Sequence, residues 1–526
     1  MRDSTLLPRL LRYYLPALAL LTMAVGCIHR WSGAHRAELL GDSDESAHYV
    51  TGLMVHDYLV RGLGEPPLAF AEKFHLHYPR VALGHWPPGF YALQAAWMLI
   101  CGTDRAAILW LCAVIAAAWI FMCERMFEEN CSRPLAWAGA LFVLGSPEVL
   151  SSSRLVMSDI LMAALTLASV WTLARLIDQP CARWSLAFGL LSATAILTKA
   201  TGVLLAPLPL LAVLTFRRWD LLRSPWLWLP AGIVLVLCTP WYALVPYALH
   251  EKMAPYGDPG MRIYRVTHTL KFCVQQLGIP GALLTIVGWW RLAVKLRRGE
   301  RVQPLLVLAA WVLPAAIACR LFIGAWEAKH LITVTPFLVL SACCGLSWML
   351  DSIGARRSIL AAITAVWALL TVGQHVAAAP LKPHRGLDLV AASLLQRPEL
   401  VGRRVVIVSD AAGEGAFVSE MAMRDNRPRH VVERGAKLLT DYTRMGRNIR
   451  PRFHSSEALQ RDFDEKGGAI LILDPITREL LGLRMAKVLV AAAPGRWREL
   501  MQQPRLDLKA QPGAEPIRVY LLEPKS

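Results

Sequence analysis

Three carboxylates lie close together just after the first apolar stretch of the chain. Asp42, Asp44 and Glu45 follow the uncharged run 13–28 and begin the polar segment 29–88. Acidic groups packed this tightly beside a bilayer are costly unless they bind or react with something. An ionised carboxylate next to a hydroxyl or amine is what a general base requires. The cluster therefore predicts a reaction centre at a membrane face.

The same residues can begin a helix. Ser43 or Asp44 can cap a helix that runs to about Val60, because a short oxygen-bearing side chain accepts the first amide hydrogens. An apolar stripe would then let this helix lie along the membrane, formed by Val50, Leu53, Met54 and Tyr58. The alternative is that Asp44 is only a cap while Asp42 and Glu45 are solvated.

The polar segment closes with His85, Trp86 and two prolines, which suit the first turn of the next helix. We interpret His85 and Trp86 either as the rim of a lipid or sugar pocket or as a simple helix start. Seven of the 14 histidines lie in this segment: His29, His35, His48, His56, His75, His77 and His85. On an extended strand His75 and His77 would face one way and could bind a divalent metal with Asp42 or Glu45. The alternative is a set of interfacial polar histidines.

Further along, cations gather in the predicted outer loops around a single acid, Asp159. A phosphate leaving group needs such positive charge, because negative charge grows on its bridging oxygen. Lys199 interrupts a long apolar run, and Lys329 with His330 directly precedes another. The candidate set is Arg154, Lys199, Arg262, Arg265, His268, Lys329 and His330. For each cation alone, snorkelling to the interface is the simpler interpretation.

These residues must be positioned by membrane helices. The 526-residue chain is 55% hydrophobic, has a mean hydropathy of +0.40 and contains 19 Trp, which is unusual for a soluble domain of this size. Apolar stretches close to membrane-spanning length predict about eleven spans: 13–28, 105–123, 134–150, 157–175, 184–198, 200–216, 226–248, 276–293, 303–322, 331–349 and 358–379. We expect the short apolar piece Pro88–Cys101 to be an outer juxtamembrane or re-entrant helix.

The net charge of +17 is explained by topology rather than by nucleic-acid binding. Arg and Lys concentrate in alternate loops instead of along one basic face, as the positive-inside rule requires. This pattern predicts an inside N-terminus and an outside C-terminus. The acidic cluster, the loop 250–276 and the other candidate residues then all fall on the outer side. None of the 11 cysteines forms a CxxC pattern, so no disulfide framework or zinc site is indicated.

The region 381–526 has a different character. Short apolar runs at 405–408, 469–473 and 519–522 alternate with helical patterns at 414–423 and 457–463. This alternation predicts a small α/β domain. Gly413 and Gly415 follow the first strand without a full dinucleotide fingerprint, which favours a plain strand-to-helix turn. The fold class is therefore mainly α, a polytopic membrane domain 1–380 whose outer loop 29–88 carries the acidic motif, and an outer α/β domain 381–526.

Several of these motifs resemble, in order, those of GT-C glycosyltransferases, in the group of protein mannosyltransferases, lipid A aminoarabinose transferases and bacterial Rgt-like enzymes. They are Asp44-Glu45 with Tyr49, Pro87-Pro88, Asp159, the run 198–202 and the run 328–336. The resemblance covers roughly residues 10–380. It departs at His85-Trp86, where aminoarabinose transferases have Lys before the double Pro, and at His330-Leu331, where Arg-Tyr is usual.

The resemblance implies an inverting sugar transfer from a polyprenyl-phosphate donor, with Asp44 as base and Glu45 and Asp159 as further catalytic candidates. Asp42 and Tyr49 join the cations above and the His85-Trp86 pair as candidate substrate-binding residues. The acceptor would be lipid A, another envelope glycan, a lipid or a protein, at the outer face of a bacterial cytoplasmic membrane. Other expected partners are membrane lipids but no nucleic acid, and a divalent metal is possible. The alternative is a transporter or lipid flippase, which should place ionisable residues at the bilayer midplane.

Overall fold

The chain packs into two compact units. The computed structural model describes residues 13–245, 259–322, 327–352, 357–441, 449–467, 469–475, 480–507 and 515–524. The helical unit comprises Met1–Trp31, Leu83–Phe90 and Trp110–Pro380, and the mixed unit comprises Ser32–Ala82, Tyr91–Leu109 and Leu381–Ser526. Most of the first polar segment therefore packs with the C-terminal region. The division into domains 1–380 and 381–526 stays a prediction.

The first part of the chain is helical. Its helices are α1 (Leu15–Trp31), α2 (Glu45–Asp57), α3 (Pro67–His77), α4 (Gly89–Cys101), α5 (Arg105–Glu128), α6 (Arg133–Gly145), α7 (Pro147–Ser153), α8 (Asp159–Asp178), α9 (Ala182–Thr198), α10 (Leu208–Phe216), α11 (Pro225–Leu244), α12 (Pro259–Arg297), α13 (Pro304–Phe322), α14 (Thr335–Ser352) and α15 (Arg357–Ala378). Shorter 3₁₀ turns cover Ala200–Leu205, Trp219–Arg223 and Ala328–Val334, and Tyr58–Gly62 forms a π-helical turn.

The C-terminal part alternates strands and helices. They are α16 (Leu387–Leu395), β1 (Arg404–Val408), α17 (Ala411–Arg424), β2 (Val431–Arg434), α18 (Gly435–Leu439), β3 (Thr440–Asp441), β4 (Arg450–Pro451), α19 (Ser456–Glu465), β5 (Ala469–Leu473), α20 (Leu481–Ala492), β6 (Trp497–Gln503) and β7 (Ile517–Leu522). This order confirms the predicted class, a mainly helical protein with a small α/β region. The strands β2 and β6, which carry charged residues, are additions to the prediction.

Membrane-length helices are present in the described residues. Six helices are long and apolar enough to cross a bilayer, or seven if α6 and α7, which are bent by 66°, count as one span. The bend falls at Ser146-Pro147, where proline cannot continue the preceding helical hydrogen bonds. Each predicted span from 13–28 to 358–379 coincides with a helix or a helix pair. The exact number of crossings stays a prediction.

The structure corrects two details of that prediction. The segment expected as the loop 250–276 is helical from Pro259 onward, and residues 250–258 lie outside the described part of the chain. The resulting helix α12 is interrupted at Gly278, whose φ of 67° lies in the left-handed region that favours glycine. The predicted span 200–216 is likewise split, into a 3₁₀ turn and α10.

A five-stranded sheet forms the centre of the C-terminal region. Its strand order is β2-β1-β5-β7-β6, with β1 parallel to both β2 and β5 and with β7 antiparallel to β5 and β6. β1 and β5 are buried along their whole length, which explains the apolar runs 405–408 and 469–473 within them. The helices α19 and α20 contribute Phe463 and Leu483 to the core on this sheet.

Candidate functional site

The acidic motif lies at the start of α2, in the mixed unit. Asp44 occupies the position before the helix, as predicted, but its side chain does not cap the helix amides. Its backbone N–H instead donates to Oδ1 of Asp42 over 2.8 Å. Both carboxylates are half-buried. Asp44 is therefore held half-buried at a fixed place beside a helix N-terminus, where the helix dipole favours a carboxylate.

Glu45 has a different environment. Its side chain is fully buried, and Oε1 accepts a 2.6 Å hydrogen bond from Nζ of Lys382, whose side chain is 1% exposed. Oε2 accepts from the backbone N–H of Gly41 over 2.9 Å. A carboxylate that is buried and neutralised in this way is held in place rather than offered to a substrate. The geometry thus favours Asp44 over Glu45 as the base.

Tyr49 is also an interior residue. It is fully buried, and its hydroxyl donates to the carbonyl of Thr103 over 2.5 Å. Burial raises the pKa of Tyr49 well above its usual range. The stripe Val50, Leu53 and Met54, which we expected to lie along the membrane, is buried inside the mixed unit. That expectation is wrong because α2 is enclosed on nearly all sides, and the predicted substrate contact of Tyr49 stays a prediction.

Arg80 belongs to this motif, although its sequence position did not reveal it. Its guanidinium donates to the Ser43 carbonyl over 2.5 Å, to Oγ of Ser46 over 3.1 Å and to the Ala411 carbonyl over 2.9 Å. It is the only Lys or Arg between residues 74 and 104. The position of Arg80 as a single cation in a long segment without other Lys or Arg was the sequence signal for its role.

The helical unit holds a second carboxylate with a lysine partner. Nζ of Lys199 donates to Oδ1 of Asp159 over 2.6 Å, and their side chains are 6% and 1% exposed. The pair forms because α8 begins at Asp159 where α9 ends at Thr198. Oδ2 of Asp159 and the hydroxyls of Ser158 and Thr198 are buried with no hydrogen-bond partner among the described residues. Buried polar groups in such a state call for a ligand or water.

The proline-rich motif packs against the same place in the helical unit. A Cβ on Gly89 would meet the Leu197 carbonyl at 2.9 Å and Oγ1 of Thr198 at 3.0 Å, so only glycine permits this approach. Trp86 is buried and His85 is half-buried, with ring centroids 4.3 Å apart and planes at 87°. The motif is therefore built beside the Asp159–Lys199 pair within the helical unit.

The turn Ala328–Val334 also packs against α8. Nζ of Lys329 lies 2.9 Å from Oε2 of Glu327, and the lysine side chain is only 11% exposed whereas the glutamate side chain is 65% exposed. Nδ1 of His330 accepts from the Glu327 backbone N–H over 3.1 Å, which fixes the start of the turn. Arg154, at the end of α7, is buried and donates to the Pro380 carbonyl.

Two buried arginines lie together where α12 meets α13. Arg265 donates to the Arg320 carbonyl over 3.0 Å. Arg320, which is 4% exposed, donates to Oγ1 of Thr269 over 2.8 Å and lies 3.2 Å from Nδ1 of His268. Arg262 is exposed. Arg320 was not among the predicted site residues, although a charged residue inside the predicted span 303–322 is a signal of function.

The predicted metal ligands do not form a site. His75 and His77 lie in the helix α3 rather than on an extended strand, because Pro67 begins a helical turn there. One other group could hold a cation in the described residues, Glu38, His384 and Asp388. Glu38 already accepts hydrogen bonds from the backbone N–H groups of Arg385, Gly386 and Leu387. This group is therefore explained as a hydrogen-bonded ion-pair network.

Comparisons with known proteins agree with this architecture. A family model described as dolichyl-phosphate-mannose-protein mannosyltransferase matches residues 85–243, which include the proline motif, Asp159 and Lys199. No curated protein matches the sequence.

Among solved structures, ArnT from Cupriavidus metallidurans bound to undecaprenyl phosphate is 15% identical, with a TM-score of 0.61, over 96% of this chain and 99% of that one. The apo form of ArnT gives a TM-score of 0.62 at 15% identity, over 96% of this chain and 99% of that one. An oligosaccharyltransferase from Archaeoglobus fulgidus, tethered to an acceptor peptide, gives a TM-score of 0.52 at 12% identity, over 97% of this chain and 74% of that one. The predicted resemblance is confirmed, and the chain shares its fold with ArnT over nearly its whole length.

Proposed function

We propose that this chain is a glycosyltransferase that moves a sugar from a polyprenyl-phosphate carrier to an acceptor in the cell envelope. The observation that carries the proposal is the fold shared over nearly the full length with ArnT, solved with undecaprenyl phosphate. The family model supports the same donor class, because its described members use a lipid-phosphate mannose. The alternative of a transporter or flippase has no comparable support.

Asp44 is the proposed base. Its carboxylate takes a proton from the acceptor hydroxyl or amine while the acceptor atom attacks C1 of the sugar. The bond between C1 and the phosphate oxygen breaks, and the electron pair leaves with polyprenyl phosphate. Attack opposite the leaving group inverts the configuration at C1. Asp44 is preferred over Glu45 because it is only half-buried, whereas the Glu45 carboxylate is fully buried against Lys382.

The leaving phosphate needs cations, and the helical unit supplies them. Arg320 is buried, and its described side-chain hydrogen-bond partners, Thr269 and His268, include no carboxylate. A buried guanidinium is costly without an anion, so Arg320 with Arg265 forms the preferred phosphate-binding pair. Lys329 is the next candidate. Lys199 is assigned a different role. It orients Asp159 so that the second carboxylate oxygen, Oδ2, can accept a hydrogen bond from a substrate group.

The direct test is transfer by the purified protein in lipid nanodiscs, with a panel of polyprenyl-phosphate hexoses and pentoses. Products would be detected as released polyprenyl phosphate and as labelled acceptor from a bacterial envelope extract. Asp44→Asn should lower turnover roughly 10²–10⁴-fold, since it removes the proton acceptor and keeps the shape. Asp42→Asn is the matched control, and a smaller loss is expected there. Normal turnover by Asp44→Asn would refute the base assignment.

The proposed location is the cytoplasmic membrane of a bacterium, with residues 381–526 outside. The alternation of Arg and Lys between apolar spans supports this orientation. Alkaline phosphatase fused after Pro380 should be active, and the same enzyme fused after Arg298 should not. The reverse pattern would overturn the orientation and make Pro88–Cys101 a membrane crossing.

A further inference from the structure

The C-terminal region is bound to the first polar segment through buried charges. Glu38 is fully buried and accepts from the backbone N–H groups of Gly386 and Leu387 over 2.7 and 2.6 Å. These amides belong to the first turn of α16, where a carboxylate is favoured by the helix dipole. The backbone N–H of Lys382 also donates to the Ser32 carbonyl over 2.9 Å. Ser32 and Glu38, which precede the acidic motif in the sequence, are thus held by residues 382–387.

Further along the segment the same relation recurs. Arg427 donates to the carboxylate of Asp57, the last residue of α2, with a shortest distance of 2.7 Å. Burial alone would raise the pKa of Asp57, but the hydrogen bonds and charge of Arg427 outweigh it and lower the pKa. The hydroxyl of Tyr78 donates to Oδ2 of Asp425 over 2.7 Å. Both ends of α2 are therefore held by side chains from beyond residue 380.

At the motif itself, two cations hold the residues that flank Asp44. On one side Arg80 binds the Ser43 carbonyl and the Ala411 carbonyl at once. On the other side Lys382 binds Glu45 inside the protein. Asp44 lies between these two anchored residues, so its backbone has little freedom to shift.

Close approach of α17 makes this arrangement possible. A Cβ on Gly415 would lie 2.3 Å from Oγ of Ser46 and 2.6 Å from Nε of Arg80. Only glycine leaves room for Arg80 between α17 and the start of α2. Gly415 is thus explained by packing against the acidic motif, whereas a Cβ on Gly413 would meet the side chains of Ser409, Arg385 and Asp474.

We propose that the C-terminal region positions the acidic motif, with Lys382 and Arg80 as positioning residues for Asp44. This inference rests on the proposed function for its kinetic consequence. Loss of the Lys382 charge would leave Glu45 buried without its counter-ion, directly beside Asp44. A misplacement of about 1 Å in a reacting group can cost roughly 10²-fold in rate. Removal of the positive charge of Lys382 from the neighbourhood of Asp44 would also raise the apparent pKa of Asp44.

The test compares Lys382→Met, Lys382→Arg and the control Lys487→Met in the full-length protein. Lys487 forms an exposed ion pair with Glu515 in the same unit, so its loss removes a lysine without touching the motif. For each variant kcat, donor KM and the pH dependence of kcat are measured. Hydrogen–deuterium exchange of the backbone amides of residues 41–50 is followed in parallel, because it reports the motif without any need for turnover.

Lys382→Met should lower kcat roughly 10²-fold with little change in KM. It should also move the acid limb of the pH profile upward and speed exchange in 41–50. Lys382→Arg should recover part of each effect, because it keeps the charge, and Lys487→Met should show none of them. If Lys382→Met leaves exchange in 41–50 as in the wild type, or slows turnover without moving the pH limb, the positioning role is wrong. If the wild type transfers no sugar, the proposed function fails and exchange alone decides this inference.

Discussion

In the described parts of the chain, each unit contains one buried lysine–carboxylate pair, and the two pairs differ in how many of their carboxylate oxygens accept a hydrogen bond. Lys382 with Glu45 in the mixed unit and Lys199 with Asp159 in the helical unit both have an N···O distance of 2.6 Å. The second oxygen of Glu45 accepts from the backbone of Gly41. The second oxygen of Asp159 has no hydrogen-bond partner among the described residues.

This difference favours a structural role for the Glu45 pair and a ligand-binding or water-binding role for the Asp159 pair. A buried ion pair repays its desolvation only when additional hydrogen bonds satisfy the remaining oxygens. Glu45 meets this condition within the protein, so its pair is complete as it stands. Asp159 does not meet it, and the neighbouring hydroxyls of Ser158 and Thr198 are in the same state. We therefore infer that a substrate group completes the Asp159 pair.

Removing each pair as a whole gives the largest expected contrast. The neutral replacement Glu45→Gln with Lys382→Met removes both charges together, which a buried structural pair can tolerate. Asp159→Asn with Lys199→Met removes charges that the substrate needs. We expect the second double variant to lower kcat/KM at least about 100-fold, or roughly 2.7 kcal/mol, and the first to lose about tenfold or less.

The measurement is steady-state transfer with purified variants, alongside the unfolding temperature of each. The unfolding temperature separates loss of structure from loss of chemistry, because both double variants replace buried charges by neutral groups of similar size. Equal losses of kcat/KM in the two double variants would mean that both pairs have the same role. The missing hydrogen-bond partner of the second Asp159 oxygen would then have no functional meaning.

Much of the fold followed from hydrophobic patterning alone. Each apolar stretch that predicted a span coincides with helical structure, and β1 and β5 fall where the apolar runs 405–408 and 469–473 predicted buried strands. Such patterns are local, so a single sequence carries them. The candidates Asp159 and Lys199 were found because ionisable residues stand out in apolar surroundings.

The remaining features depend on contacts between distant residues. Glu45 and Lys382 are 337 positions apart, and nothing near either residue indicates the other. The role of Arg80 depends on α17, whose close approach requires Gly415. His75 and His77 would face one way only on an extended segment, whereas Pro67 starts a helix that runs through both residues. The prolines at 66–67 were the local signal for this helix.

Acid should destabilise the mixed unit through Asp425. We expect this effect to be intermediate in size between the other two predictions. Burial would raise the pKa of Asp425, but hydrogen bonds from His430 and Tyr78 and the charge of His430 lower it to about 2 from 3.8. A carboxyl whose pKa is depressed in the folded state stabilises it above the unfolded value, and this stabilisation is lost as the pH falls from about 4 to about 2. A shift of this size corresponds to about 2 kcal/mol.

The prediction concerns the mixed unit, where Asp425 lies. The unfolding temperature of the wild type should fall between pH 5 and pH 2.5, whereas Asp425→Asn should begin lower and show a weaker fall. Asp441→Asn is the control, since that carboxylate is exposed and paired with Arg452. Parallel pH curves for the wild type and Asp425→Asn would show that another group is responsible for the acid sensitivity.

The smallest expected effect concerns Arg320, the buried cation of the helical unit. If its charge binds the donor phosphate, Arg320→Gln should lower kcat/KM about tenfold, or roughly 1.4 kcal/mol. Arg320→Lys should recover only part, because a point charge replaces a planar guanidinium that can bind two phosphate oxygens. Arg298→Gln is the matched control, since that exposed arginine lies just after the other end of α12.

Because Arg320 also donates to Thr269, a fall in unfolding temperature with unchanged kcat/KM would assign it to helix packing. Of the groups tested in the helical unit, the Asp159–Lys199 pair would then be the remaining candidate for binding a substrate.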